Sequence, residues 1–170
     1  MKKDKKNNYC QRIEIIEESV IFEKNGMNLY RLFSELFHED SIFWKCLSDE
    51  KSYHAELFNS LRQPNEMNAL PTEMLHENIV KLRRSNVLVE KLVEKFTAKS
   101  PSRQTAFIMA LALETSGSAR IFQEVVSSET NNKLINSFTE KAGFRRDHLR
   151  RIRTWMSTNN IEVNGEVSLL

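Results

Sequence analysis

The amino-acid sequence predicts an all-α fold: an antiparallel four-helix bundle made of two helical hairpins joined by a crossover helical segment. Glycine and proline, which interrupt helices, account for only 4 and 3 of the 170 residues. Apolar residues recur at spacings of three and four along most of the chain, whereas the apolar/polar alternation of strands is nearly absent. Each predicted helix therefore has one apolar stripe to bury against its neighbours.

The first hairpin follows a basic N-terminal arm at residues 1–10. Helix one is predicted over about 11–37, where the apolar stripe continues with helical spacing. Asp40 or Ser41 offers an N-cap for helix two, which is predicted over about 42–62 and stops before a proline.

The crossover, at about 63–101, also has the periodicity of helices. A break at residues 85–86 would divide it into a short helix and a longer one. Pro101 and Ser102 mark the start of helix three, which is predicted to reach about residue 126.

Helix four is predicted to follow Glu129 and to end at about 154–157, so that the bundle spans 11–158. Its C-terminal half is rich in arginine, which the helix dipole favours there and which we expect to form a solvated face. The tail at 159–170 has little to bury, and we expect it to lie on the surface or to be disordered.

Two glutamates and two histidines interrupt the apolar stripes at equivalent places of the two hairpins. Glu23 and Glu114 lie in helices one and three, and His54 and His148 lie in helices two and four. A carboxylate within an apolar stripe is costly unless it is paired, hydrogen-bonded or bound to a metal. The repeated pattern therefore predicts a polar site inside the bundle.

Residues 23–30 and 43–56 resemble the first hairpin of rubrerythrin-like proteins in the ferritin-like superfamily, and residues 106–114 resemble the start of their second hairpin. The resemblance covers roughly 13–62 and 102–156. It implies a ferritin-like four-helix bundle with a di-iron carboxylate site. Such sites use one Glu from each of two helices and a Glu-x-x-His motif from each of the other two.

The resemblance implies that the two glutamates and two histidines match four of the six metal ligands. The two bridging carboxylates, three residues before each histidine, are replaced by Lys51 and Arg145. The simplest hypothesis is that Lys51 and Arg145 pair with Glu23 and Glu114. Such a degenerate site would bind no cofactor, and the protein would have an interaction or assembly role without catalysis.

A mononuclear metal site is the alternative. Glu50 lies four residues before His54, which is a same-face spacing on a helix. A single Fe, Mn or Zn ion would then be held by Glu23, Glu50 and His54, with Glu114 or His148 as a further ligand. This hypothesis makes the chain a residual metal-binding protein or an oxidoreductase in metal handling or peroxide defence.

Charge and hydropathy argue against several other classes. The net charge of +2 gives no case for a nucleic-acid partner, and no apolar run approaches the length needed to span a bilayer. No apolar stretch of the secretory kind follows the basic N-terminus. Cys10 and Cys46 are far apart, and Cys46 is expected to be a buried structural thiol. We therefore expect a cytoplasmic protein without a nucleic-acid or membrane partner. In the interaction or assembly role, we expect it to be a homodimer formed through an exposed helical face.

Overall fold

A computed structural model describes residues 2–63, 79–116 and 148–162 of the chain. Within these ranges the protein contains α-helices and no strand, which confirms the predicted all-α class for the described residues. No helix in these ranges is long and apolar enough to cross a membrane.

Five α-helices and one 3-10 turn make up the described structure. They are α1 (Lys2–Leu36), the 3-10 turn (His38–Asp40), α2 (Ser41–Ser60), α3 (Ile79–Ala98), α4 (Arg103–Thr115) and α5 (His148–Thr158). Helix α1 begins at Lys2, well before the predicted residue 11, because the lysine-rich segment ahead of it has good helix propensity. The predicted bounds of helix two are confirmed to within two residues.

The predicted break at Ser85 and Asn86 is wrong, because α3 continues through both residues. Asparagine usually disfavours a helix interior by bonding to its own backbone. The Asn86 amide instead donates to Glu18 on α1, to the backbone oxygen at 3.0 Å and to the carboxylate at 2.8 Å. The contact between α3 and α1 therefore removes the reason for a break.

The predicted extension of helix three to residue 126 is also wrong, because α4 ends at Thr115. The Thr115 hydroxyl donates to the Leu111 carbonyl at 2.8 Å, and the Ser116 hydroxyl donates to the Leu113 carbonyl at 2.7 Å. These bonds occupy carbonyls of the last turn, and the backbone of Ser116 is extended.

Helix α5 ends close to the predicted position, whereas the predicted start of helix four lies outside the described residues. Asn160 adopts a left-handed conformation with φ of 53°, and the Ile161 amide donates to the Met156 carbonyl at 2.9 Å. This Schellman-type cap brings Ile161 into the core, where it is 9% exposed. The expectation that the tail has little to bury is therefore wrong at its first residues.

Aromatic side chains of α2 connect the helices. The Trp44 ring is fully buried and contacts Phe33 of α1 and Phe107 of α4, with ring centroids 5.1 and 4.4 Å apart. Phe43 stacks on Trp155 of α5 at 4.7 Å. Helix α2 thus packs against α1, α4 and α5, and α3 packs against α1.

Asp40 is the N-cap residue of α2, as predicted, but its side chain makes no capping hydrogen bond. Its buried carboxylate accepts hydrogen bonds from Arg103 Nε at 2.7 Å, Arg103 Nη2 at 2.8 Å and Trp155 Nε1 at 2.7 Å. Burial alone would raise the pKa of Asp40, but these donors lower it. The turn between α1 and α2 is thereby tied to α4 and α5. Ser102 does cap α4, accepting from the Thr105 amide at 3.1 Å.

Candidate functional site

A buried polar cluster lies where α1, α2, α4 and α5 meet. Each of its five central residues is between 1% and 6% exposed, and these are Glu23, Lys51, His54, Glu114 and His148. Glu23 and Glu114, which are 91 residues apart in the sequence, are thus brought together by packing of the helices. The structure places every one of these predicted residues inside the bundle.

Lys51 lies between the two central carboxylates. Its Nζ is 3.1 Å from Oε2 of Glu23 and 3.2 Å from Oε1 of Glu114. Its stem passes Gly26 of α1, where an added Cβ would lie 3.5 Å from Lys51 Cδ and Cε. The Nζ atom is also 5.8 Å from the ring centroid of Phe22, within the range of cation–π attraction.

The electrostatic environment keeps this lysine charged. Burial alone would lower the pKa of Lys51, but Glu114 and Glu23 raise it above its usual value. The two carboxyls respond in the opposite direction: burial would raise their pKa values, and Lys51 with the histidines lowers both. Lys51 is therefore a fully buried ammonium that is shared by two ionised carboxylates, those of Glu23 and Glu114.

Each central carboxylate also contacts one histidine. His54 Nδ1 is 3.3 Å from Oε2 of Glu23, and His148 Nδ1 is 3.2 Å from Oε2 of Glu114. The two imidazole rings stack with centroids 5.4 Å apart and an angle of 9°. Helices α1 and α2 thus contribute one carboxylate–imidazole pair, and helices α4 and α5 contribute a matching pair.

The two histidines differ in charge. Burial lowers the pKa of His54 below its usual value, despite its hydrogen bond to Glu23. Burial would also lower the pKa of His148, but Glu114 and Glu50 raise it to about 9. At neutral pH His54 is therefore a neutral donor to Glu23, whereas His148 carries a positive charge.

Glu50 lies at the edge of the cluster and binds α5. Its Oε2 is 2.8 Å from His148 Nε2 and also accepts a hydrogen bond from Arg151. Burial would raise the pKa of Glu50, but His148 and Arg151 lower it. The Glu50 side chain therefore points to α5 rather than to His54 on its own helix.

Tyr30 is a member of the cluster that the sequence analysis did not predict. Its hydroxyl donates to Oε1 of Glu114 at 2.6 Å, and its ring stacks on Trp44 at 5.7 Å. Burial and the charge of Glu114 raise the pKa of Tyr30 well above its usual value, so the phenol stays neutral. Its position seven residues after Glu23, on the same helix stripe, was the available signal.

The charges of the cluster balance. Among the described residues it holds three carboxylates and three cations: Glu23, Glu50, Glu114, Lys51, His148 and Arg151. The expected pairing of Lys51 with Glu23 is present, and Lys51 contacts Glu114 as well. The predicted pairing of Arg145 lies outside the described residues. Within the part of the chain that the structure describes, the positive charge beside Glu114 comes from Lys51 and His148.

These residues do not fit a dinuclear metal cluster. The Lys51 ammonium stands between Glu23 and Glu114, and a divalent ion bound to the same oxygens would be strongly repelled. Within the described residues, no three His, Cys, Asp or Glu side chains are grouped to hold a metal ion.

The two thiols lie on the surface. Cys10 of α1 and Cys46 of α2 are both exposed and unpaired. The expectation that Cys46 is buried is wrong, because α2 turns that position outward while Leu47 faces the core.

The chain matches no protein-family model, no curated protein and no solved structure. The resemblance to rubrerythrin-like proteins therefore stays a prediction.

Proposed function

We propose that this protein is a ferritin-like, rubrerythrin-related helical bundle whose di-iron site has been replaced by internal ion pairs. In this proposal it is a homodimer in the cytoplasm and has an interaction or assembly role without catalysis. The observation that supports the proposal is the position of Lys51, 2% exposed and in contact with carboxylates from two other helices.

The lysine supplies the electrostatic function that a metal ion has in such a bundle. A bridging metal draws carboxylates of neighbouring helices together and offsets the cost of burying their charge. The Lys51 ammonium contacts Glu23 of α1 and Glu114 of α4 from its place on α2. Three helices are thereby joined by one cation that belongs to the chain.

The redox chemistry of a di-iron protein would be lost in this arrangement. A lysine ammonium has no accessible second oxidation state and no free coordination position, and its protons are directed at Glu23 and Glu114. The remaining histidines are directed at carboxylates, not at an open cavity. These contacts favour a structural role for the cluster.

Two exposed valines on α3 are a candidate contact for the interaction role. Val80 and Val87 are two turns apart on one side of the helix and are 58% and 50% exposed. We propose that this side of the bundle forms part of the homodimer contact. The variant Val80→Glu/Val87→Glu should then be monomeric in light scattering where the unchanged protein is dimeric.

Metal analysis tests the central proposal. Protein produced with added iron, manganese and zinc, and purified without chelator, should carry none of them in stoichiometric amount. The variant Lys51→Glu/Arg145→Glu restores both bridging carboxylates and should take up metal. The matched control Lys45→Glu/Arg153→Glu makes the same charge change at two exposed positions and should not.

Two outcomes would count against the proposal. Stoichiometric metal in the unchanged protein, lost on Glu23→Ala or His54→Ala, would favour the residual metal-binding protein or oxidoreductase. A folded Lys51→Glu/Arg145→Glu variant that binds no more metal than its control would show that Lys51 does not stand in a metal position.

A further inference from the structure

The side of α3 opposite its buried residues carries a regular stripe of exposed residues. The buried residues are Leu82, Ser85, Asn86, Val89 and Phe96. The exposed residues follow one another at spacings of four, three, four, three and four, and these are Val80, Arg84, Val87, Lys91, Glu94 and Ala98. Such spacing is that of a heptad seam, along which two helices pack. These six residues form the outer stripe of α3.

The charges of the outer stripe are available to a partner. Arg84, Lys91 and Glu94 make no hydrogen bond and no ion pair within the part of the chain that the structure describes. Arg83, by contrast, lies at the edge of α3 next to α1, where it pairs with glutamates. The outer stripe therefore presents two cations and one anion to solvent, separated by apolar positions.

We propose that the outer stripe binds the outer stripe of a second copy, with the two α3 helices antiparallel and Arg84 of each copy paired with Glu94 of the other. The inference rests on the homodimer contact proposed above at Val80 and Val87. It does not depend on the loss of the metal site, because the buried cluster lies elsewhere in the bundle.

The antiparallel arrangement matches the outer stripe along its whole length. A two-fold axis midway between Val87 and Lys91 makes every opposed pair occur twice. The opposed residues are then Val80 with Ala98, Arg84 with Glu94, and Val87 with Lys91. The aliphatic stem of Lys91 covers Val87 while its ammonium stays in solvent. Each charged side chain of the stripe thus meets either an opposite charge or an apolar neighbour.

Charge selects the direction of the two helices. A parallel pair in register would place Arg84 against Arg84, Lys91 against Lys91 and Glu94 against Glu94. Like charges in such contacts are destabilising. The antiparallel pair removes all three of these repulsions from the seam.

The length of α3 selects the register. Sliding one helix by a heptad in one direction leaves Val80 and Arg84 opposite positions beyond the end of α3 at Ala98. Sliding it in the other direction leaves Glu94 and Ala98 opposite positions before the start of α3 at Ile79. The proposed register is therefore the one in which all six residues of the outer stripe have an opposed residue.

The flanks of the seam contribute less. Half-buried Leu88 meets Leu88 of the second copy next to the two-fold axis. Lys81 approaches Lys95 of the second copy, and Glu90 approaches its own equivalent, so these exposed charges offset part of the attraction. The Arg84–Glu94 pairs consequently decide whether the two copies associate.

Exchange of charge at Arg84 and Glu94 tests the pairing. Arg84→Glu and Glu94→Arg should each raise the Kd of the dimer by roughly tenfold or more, because two attractive pairs become repulsive. An equimolar mixture of the two variants should form heterodimers, since the opposed charges are again complementary. Light scattering over a concentration series measures Kd, and native mass spectrometry distinguishes heterodimers from homodimers.

Lys91→Glu is the matched control. It makes the same charge change on the same stripe, but the opposed residue is Val87, so this variant should stay dimeric. The double variant Arg84→Glu/Glu94→Arg should also be dimeric, because both charges are reversed within one chain. Circular dichroism checks that every variant keeps its helices.

The outcomes separate failure of the pairing from failure of the proposed contact. A monomeric unchanged protein, or a dimer that Val80→Glu/Val87→Glu does not dissociate, would overturn the contact and the pairing together. If Val80→Glu/Val87→Glu is monomeric but Arg84→Glu behaves like Lys91→Glu, the contact stands and the pairing is wrong. A mixture of Arg84→Glu and Glu94→Arg without heterodimers would have the same meaning.

One further result would replace the register by another. If Lys91→Glu dissociates the dimer and regains it on mixing with Glu94→Arg, Lys91 is the residue opposed to Glu94. The helices would then be antiparallel but shifted by one heptad, and the proposed pairing of Arg84 would be wrong.

Discussion

Replacing Lys51 by methionine tests the buried ion pair most directly. The substitution keeps an unbranched apolar stem beside Gly26 but removes the ammonium, which leaves Glu23 and Glu114 without their shared cation. Removing one partner of a buried ion pair costs about 3–5 kcal/mol of unfolding free energy. Lys51 serves two carboxylates, so we expect a loss of that size at neutral pH.

The loss should depend on pH in a defined direction. In the unchanged protein the pKa values of Glu23 and Glu114 are lowered, so their contribution is present above the ordinary value of 4.5 and is lost on acidification. Without the cation, burial and mutual repulsion raise at least one of these pKa values, and protonation relieves the cost. The difference between the two proteins should therefore shrink as the pH falls.

Urea unfolding followed by helical circular dichroism measures these differences. Lys45→Met is the matched control, because Lys45 is an exposed lysine of the same helix and should change stability by about 0.5 kcal/mol or less. The reasoning is refuted if Lys51→Met is no less stable than Lys45→Met at neutral pH. It is equally refuted if the deficit of Lys51→Met grows in acid.

Three further predictions concern single contacts. The raised pKa of His148 contributes stability that is fully present below pH 6.5 and is lost as the pH rises through about 9. Between these two pH values, the unfolding free energy of the unchanged protein should fall by about 3 kcal/mol more than that of His148→Gln. Asp40→Asn weakens the bonds that tie the α1–α2 turn to Trp155, and it should cost about 2 kcal/mol and shift the tryptophan fluorescence, unlike Glu39→Gln at the neighbouring exposed carboxylate. Tyr30→Phe leaves Glu114 without a hydroxyl donor and should lower the unfolding free energy by about 2 kcal/mol; an unchanged midpoint in urea would argue against that hydrogen bond.

The pairing of Lys51 could be anticipated from the resemblance to di-iron bundles, which implies that Lys51 stands at the position of a bridging carboxylate. Lysine three residues before His54 lies on the same helix face, and a cation on a buried stripe must meet an anion. Glu23 and Glu114 were the stripe carboxylates available, and both contact it. The positions implied by the resemblance, together with the opposite charges of lysine and glutamate, were sufficient for this part of the site.

Other features depend on how the helices are positioned relative to one another. The partner of Tyr30 is 84 residues away, so its hydrogen bond requires the register between α1 and α4. Glu50 is on a spacing compatible with His54, but the seam between α2 and α5 brings it to His148 instead. Helical periodicity gives the face of a side chain and does not give the partner across an interface.

The helix ends show the same limit on a smaller scale. Ser85 and Asn86 look like breakers in isolation, but Asn86 finds its hydrogen-bond partner on α1. The hydroxyls of Thr115 and Ser116 donate to backbone carbonyls in the last turn of α4, where the helix ends. The spacing of apolar residues carries no information about these hydrogen bonds. Propensity is a weak guide wherever a polar side chain has two possible partners.

The cation between Glu23 and Glu114 is the Lys51 ammonium, which is synthesised as part of the chain and is not taken up from solution. A cation attached through a side chain is present at one equivalent in every molecule, cannot be removed by a chelator and cannot be exchanged for a competing ion. If Lys51 replaces a metal ion as proposed, the centre of the protein is complete as soon as the helices pack. Its assembly would then need no ion delivered by the cell, and scarcity of iron would leave it unchanged.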